Sequence, residues 1–239
     1  MKKELSGLLL FLIAALLLAL VGFPLQSAYG YVGLALTELM TLGIALVGNN
    51  ILGYSFKETF GFSRITLKET GAFALMYAAG ITLSLVANIL CLWAFPQVGD
   101  RLEEVGQVAG ASWSIALPLV AMLPAFCEEA LFRGVLRKTF ENMPAWLSAT
   151  VIGLLFGVFH LDLWRILPLT VLGIAVSYIV CKTGHFWWGV LFHLLNNLSS
   201  VIGEHFGGIT VPNRLVPVMA VFGVVCWFLA YRLLTKSAK

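Results

Sequence analysis

The sequence is short of charge. Asp, Glu, Lys and Arg make up 11% of its 239 residues, against roughly 25% in soluble domains. It has no stretch polar enough to form a separate soluble domain, no low-complexity tract and no evident internal repeat. Its four cysteines, Cys91, Cys127, Cys181 and Cys226, fall in or at the ends of apolar runs, and none forms a CxxC pair. That argues against a disulfide framework and a thiolate zinc site and leaves the thiols as small hydrophobes. The HExxH pattern of zinc peptidases is missing as well.

Apolar residues are abundant: 60% of the chain is hydrophobic and the mean hydropathy is +0.94. A soluble fold of this size could not hide that much apolar surface. The expected class is all-α, a polytopic transmembrane bundle in one membrane domain over 1–239. About eight runs are long enough for a core of roughly 30 Å. They lie near 6–24, 30–54, 70–95, 112–137, 145–162, 166–181, 186–203 and 214–234, the sixth being short. The first follows Lys2-Lys3, as in a signal peptide, but exceeds the usual apolar length of about 7–15 residues and reads as a retained helix.

Basic residues set the orientation. With eight spans and a cytoplasmic N-terminus, the inner segments hold Lys2, Lys3, Lys57, Arg64, Lys68, Arg137, Lys138, Lys182, Arg232, Lys236 and Lys239. The outer segments hold Arg101, Arg165 and Arg214, and Arg133 lies within a span. Eleven against three predicts both termini in the cytoplasm. The expected location is a cell membrane, in the style of a bacterial inner membrane. The lipid bilayer is the expected partner, with no nucleic acid. Phe60, Phe62, Ile65 and Leu67 stand among charges between Lys57 and Glu69, so this loop reads either as an interfacial amphipathic segment or as a polar loop with apolar anchors. Trp93, Trp113, Trp187 and Trp188 sit near span ends, as interfacial aromatics do.

Ionisable groups at membrane depth are costly and usually functional. Glu128, Glu129 and Arg133 lie in the fourth run. Glu129 and Arg133 are four apart, so they share a face and can pair. Glu128 points about 100° away and is free for another task. Pro124, four residues earlier, removes a backbone donor and loosens the helix. His160 stands in the fifth run, four after Phe156. His193 and Asn197 share a face of the seventh. Asn196 or Asn197 would also serve as interhelical glue. Counted from the cytoplasmic ends, Glu128 is about 14 Å deep, His193 about 12 Å and His160 about 24 Å. Allowing for tilt, these depths predict one cavity opening to the cytoplasm.

A carboxylate in a dry pocket can act as a general base near neutral pH. A His beside it can share the water's proton. A second His and an Asn can donate to the oxyanion of a tetrahedral intermediate. That is a kit for amide hydrolysis without a covalent step, and no cofactor is required. The same His160, His193 and a Glu would also make a His₂Glu zinc set. Buried Glu and His residues equally suit a proton-coupled transporter, and a non-catalytic immunity or scaffold protein is a further alternative. Cys127 is a poor nucleophile, because two adjacent carboxylates raise its pKa.

Taken together, Glu128-Glu129 with Arg133, Phe156 with His160, and His193 with Asn197, in that order on separate helices, resemble the CAAX protease and bacteriocin-processing family, also called the ABI family. The motif-bearing region runs from about 112 to 203. The resemblance implies an intramembrane protease in which Glu128 and His160 activate water. His193 and Asn197 would form the oxyanion hole, and Glu129 and Arg133 would orient the site. Of the two mechanisms ascribed to the family, metalloprotease and metal-free glutamate protease, the metal-free one is expected here. The expected substrate is a membrane-associated or hydrophobic peptide, because nothing in the sequence points to prenyl groups.

Overall fold

Long apolar runs leave their backbone polar groups no partner in lipid except one another, so they form helices. The computed structural model describes residues 2–96, 108, 110–207 and 211–235, and every regular element in it is helical. The helices are α1 (Lys3–Tyr29), α2 (Tyr31–Ile51), the short α3 (Phe56–Phe60), α4 (Leu67–Ala94), α5 (Trp113–Thr139), α6 (Ala145–Phe159), α7 (Ile166–Thr183), α8 (Phe186–His205) and α9 (Asn213–Thr235). Apart from α3, each coincides with one of the expected runs. Arg101, Lys236 and Lys239, used in the charge count, lie outside the described residues.

Among the described residues, six helices are long and apolar enough to cross a membrane: α1, α2, α4, α5, α7 and α9. The sixth run, expected to be short, is a full 18-residue helix. The fifth is the short one: α6 has 15 residues, about 22 Å at the helical rise. It stops at His160, whose successor Leu161 takes a left-handed φ of 51°. At 20 residues α8 is long enough, but His193, Asn196, Asn197, Ser199 and Ser200 dilute its hydropathy. The two helices that fall short are those carrying His160 and the His193/Asn197 pair.

Polar contacts gather four segments at one end of the bundle. Lys3 Nζ lies 3.7 Å from Glu141, and Lys138 Nζ lies 3.1 Å from Glu141 and 3.4 Å from Glu58. The Trp187 indole donates to the Phe60 carbonyl at 2.9 Å. Ser63 Oγ is 2.7 Å from His185 Nδ1, and His185 Nε2 is 3.5 Å from Glu69. The N-terminus, the α3 segment, the α5–α6 turn and the α7–α8 turn therefore share an end, as a bundle of alternating helices requires. These are the segments the basic residues place on one side. The opposite end is tied by the rings of Trp113 and His205, 4.0 Å apart, and of Phe95 and Trp164, 5.0 Å apart. The loop after α3 combines both expected readings. Phe60 is buried and packs edge-on to Phe186, whereas Phe62, Ile65 and Leu67 are exposed.

Lipid-facing side chains such as Leu20, Ile51, Val218 and Val221 are exposed. Inside, small residues bring helices close. A Cβ on Gly153 of α6 would stand 2.5 Å from the Ile174 backbone N and 2.9 Å from the Gly173 carbonyl carbon. Gly153→Ala is therefore expected to destabilise the protein by about 1–3 kcal/mol, the usual cost of overpacking, despite the better helix propensity of Ala. Thermal unfolding in detergent measures it. The seam matters for the site because α6 carries His160, and α7 carries the groups that hold Arg133.

Candidate active site

The middle of α5 is not a regular α-helix. Residues Ala116–Met122 and Ala130–Leu136 are π-helical, and Leu123–Glu129 between them is α-helical with Pro124 at its start. Widened turns change which residues share a face, and such stretches recur at functional sites. Glu128 and Glu129 sit at the junction before the second one.

Glu129 and Arg133 form an ion pair at 2.7 Å, with side chains 0% and 1% exposed. The guanidinium also donates to Ser177 Oγ at 3.1 Å and the Gly173 carbonyl at 3.0 Å, both on α7. Its Cζ lies 4.6 Å from the Phe156 ring centroid, a cation–π contact. Each of the three nitrogens of this buried cation thus has a partner. His193 Nδ1 lies 3.0 Å from the same Glu129 oxygen, Oε1. A carboxylate paired with arginine only accepts, so Nδ1 carries the proton. Glu129 therefore orients both Arg133 and His193. Helix α8 fits tightly here: a Cβ on Gly189 would stand 2.6 Å from Glu129 Oε2.

Glu128 points elsewhere. Its Oε2 is buried and accepts no hydrogen bond among the described residues. It lies 4.0 Å from His160 Nε2. The other ring nitrogen of His160, Nδ1, donates to the Phe156 carbonyl at 2.9 Å, because a carbonyl can only accept. In the neutral ring this leaves Nε2 with its lone pair turned to Glu128. Phe156 stands edge-on between the two histidines, 4.9 Å from His160 and 5.7 Å from His193. Asn196 donates to the side-chain oxygen of Asn197 at 3.0 Å, and Asn197 donates to the Val120 carbonyl at 3.2 Å.

Glu128, His160, His193 and Asn197 all line one cavity of about 320 Å³. Glu129, Arg133 and Cys127 do not line it. The cavity continues past Leu34, Val120, Leu169, Arg165 and Ser200, each toward the end of its helix that lies away from Lys3, Lys138 and His185. Toward the basic end it is closed by Glu129, Arg133, Leu131 and Leu136, all at most 1% exposed. The cavity lining thus extends toward the end of the bundle away from the basic segments, whereas the sequence leads one to expect an opening at the basic, cytoplasmic end. The physical reason is the depth of His160, which stands at the far end of a short helix rather than in the middle of a tilted long one.

Among the described residues, no three His, Cys, Asp or Glu side chains gather closely enough to hold a metal ion. Zinc donors about 2.0–2.2 Å from the metal stand roughly 3.4 Å apart in a tetrahedron. The Glu128–His160 separation of 4.0 Å is wider than that, while His193 keeps its Nε2 clear of the Glu129 contact. Glu38 of α2 also lines the cavity, and the motif reading missed it. It is the only charged residue between Gly30 and Tyr54, so the rule that picked out Glu128 would have found it.

Comparison with known proteins points to a peptidase. A family model described as type II CAAX prenyl endopeptidase Rce1-like matches residues 110–199, the segment that supplies most of the cavity wall. A Bacillus subtilis (strain 168) protein, provisionally named membrane peptidase YdiL, is 21% identical over 225 residues, covering 84% of this chain and 89% of the relative. No solved structure matches. With three ordered motifs meeting inside an apolar helical bundle, these similarities support a multi-pass membrane protease whose segment 110–199 is similar to the CAAX prenyl endopeptidases.

Proposed function

We propose that the protein is an intramembrane endopeptidase that hydrolyses a membrane-associated or hydrophobic peptide by a metal-free glutamate mechanism. The observation that carries this reading is the 4.0 Å gap between Glu128 Oε2 and His160 Nε2. Two acceptors at that separation suit one water that donates a hydrogen to each, at about 2.8 Å per bond. The oxygen lone pairs then point away from both groups, toward a substrate carbonyl. As the oxygen attacks, Glu128 takes the proton and later delivers it to the leaving amine. His160 holds the water in place, and its Nδ1–H bond to Phe156 fixes the ring.

The oxyanion falls to His193 and Asn197 on α8. With Nδ1 turned to Glu129, His193 offers Nε2 to the cavity, and that atom donates when the ring is an imidazolium. Asn197 gives one amide hydrogen to the Val120 carbonyl and has a second to offer an oxyanion. The peptide would enter from the end of the bundle away from the basic loops. A substrate segment on the outer side of a cell membrane therefore suits the cavity better than a cytoplasmic prenylated C-terminus. Proteolysis of a hydrophobic peptide library by purified protein in detergent, read by mass spectrometry, tests the activity. Asn197→Ala should lower kcat about 100-fold with little change in KM, as loss of one oxyanion donor does. An unchanged kcat would remove Asn197 from the oxyanion hole.

A further inference from the structure

Glu38 has no structural explanation. It stands on α2, one turn inward from Leu34, and both line the cavity with Glu128. The residue is 7% exposed, and its Oε2 is buried without a hydrogen-bond partner among the described residues. Its polar neighbours are occupied: Thr37 donates to the Gly33 carbonyl at 2.8 Å and Thr41 to the Thr37 carbonyl at 3.1 Å. Arg133 is spent on Glu129, Ser177 and Gly173. Arg165 lines the same cavity but makes no ion pair with Glu38. A carboxylate in such a setting is costly and persists where something pairs with it. The remaining wall is largely apolar, from Leu34, Val120, Pro124, Phe156, Leu169 and Leu172.

We infer that Glu38 is a recognition carboxylate that pairs with the ammonium or guanidinium of a basic residue beside the scissile bond. The inference rests on the peptidase reading and names its substrate class: an apolar peptide segment carrying one cation. The pairing also serves the chemistry. Two carboxylates facing one apolar cavity repel each other. A cation seated against Glu38 relieves that repulsion. A peptide without the cation fills the apolar wall but leaves Glu38 unpaired, so it binds more weakly.

The test uses full-length protein in nanodiscs and a set of hydrophobic peptides with one lysine at successive positions, each beside a norleucine twin. Binding and cleavage are measured for wild type, Glu38→Gln and Glu38→Asp. Wild type should favour the lysine form at least tenfold at one or two adjacent positions, the size of a charged hydrogen bond. Glu38→Gln should abolish the preference, weakening the lysine peptide and, because no unpaired charge is left behind, strengthening its twin. Glu38→Asp should keep part of the preference. No lysine preference in wild type, or an equal loss for both twins in Glu38→Gln, overturns the inference. Cleavage without lysine preference leaves the peptidase reading standing, whereas lysine-selective binding with no cleavage of any peptide removes that reading and keeps the recognition site.

Discussion

Arg133→Ala should be among the most destabilising single changes in this protein, at about 3–5 kcal/mol, the cost of breaking a buried ion pair by removing one partner. The substitution strands Glu129, which is 0% exposed, and leaves the Gly173 carbonyl and Ser177 hydroxyl without their donor. It also removes the cation from the Phe156 ring. Three helices lose a common tie, α5 to α7 through the guanidinium and α5 to α8 through Glu129 and His193. Thermal unfolding in detergent reads the stability loss, and activity should fall with it because Glu129 no longer holds His193. Arg133→Lys tests the geometry. A lysine keeps the charge but cannot serve Glu129, Ser177 and Gly173 at once from one fork, so it should recover part of the stability and little of the activity. A stable, fully active Arg133→Ala protein would contradict the role given to this pair.

The Glu129–Arg133 pair was legible in the sequence because its geometry is local: four residues on one helix fix who faces whom. The positions of eight helices were legible for a similar reason, since apolar run length alone decides them. What the sequence could not convey is where helices stand relative to one another. The sequence puts His160 about 24 Å from its cytoplasmic end, deeper than Glu128 or His193, so that only tilt brings the three level. The helix is instead short and ends at His160, so the mismatch in depth marked the direction of the cavity. The roles within the Glu128-Glu129 doublet depend on the same missing information. A helical wheel pairs Glu129 with Arg133 and turns Glu128 away, but does not say that the pair meets His193 and α7 while Glu128 meets the cavity. Glu38 was missed for a different reason. It belongs to none of the three motifs, so attention to pattern hid a residue that the cost of burying charge singles out on its own.

Glu128→Gln should leave the fold intact and abolish proteolysis, with a loss of about 10²–10⁴-fold or more. The amide keeps the shape of the side chain but is no useful base, and its NH₂ would donate into the space where a water donates to Glu128. No ion pair is broken, because Glu128 Oε2 has no hydrogen-bond partner among the described residues and Arg133 is held by Glu129. Unfolding temperature should therefore match wild type, in contrast to Arg133→Ala, and that contrast separates the group that does chemistry from the group that holds it. His160→Gln should fall less far, because Glu128 retains the proton-accepting role when the water loses one of its two anchors. Running the same assay with a zinc chelator decides between the two hydrolytic chemistries. Wild-type cleavage that survives the chelator and disappears in Glu128→Gln fits a glutamate base. Cleavage abolished by the chelator and restored by zinc would mean that His160, His193 and a carboxylate close on a metal when it binds, and the water would then be activated by that ion instead.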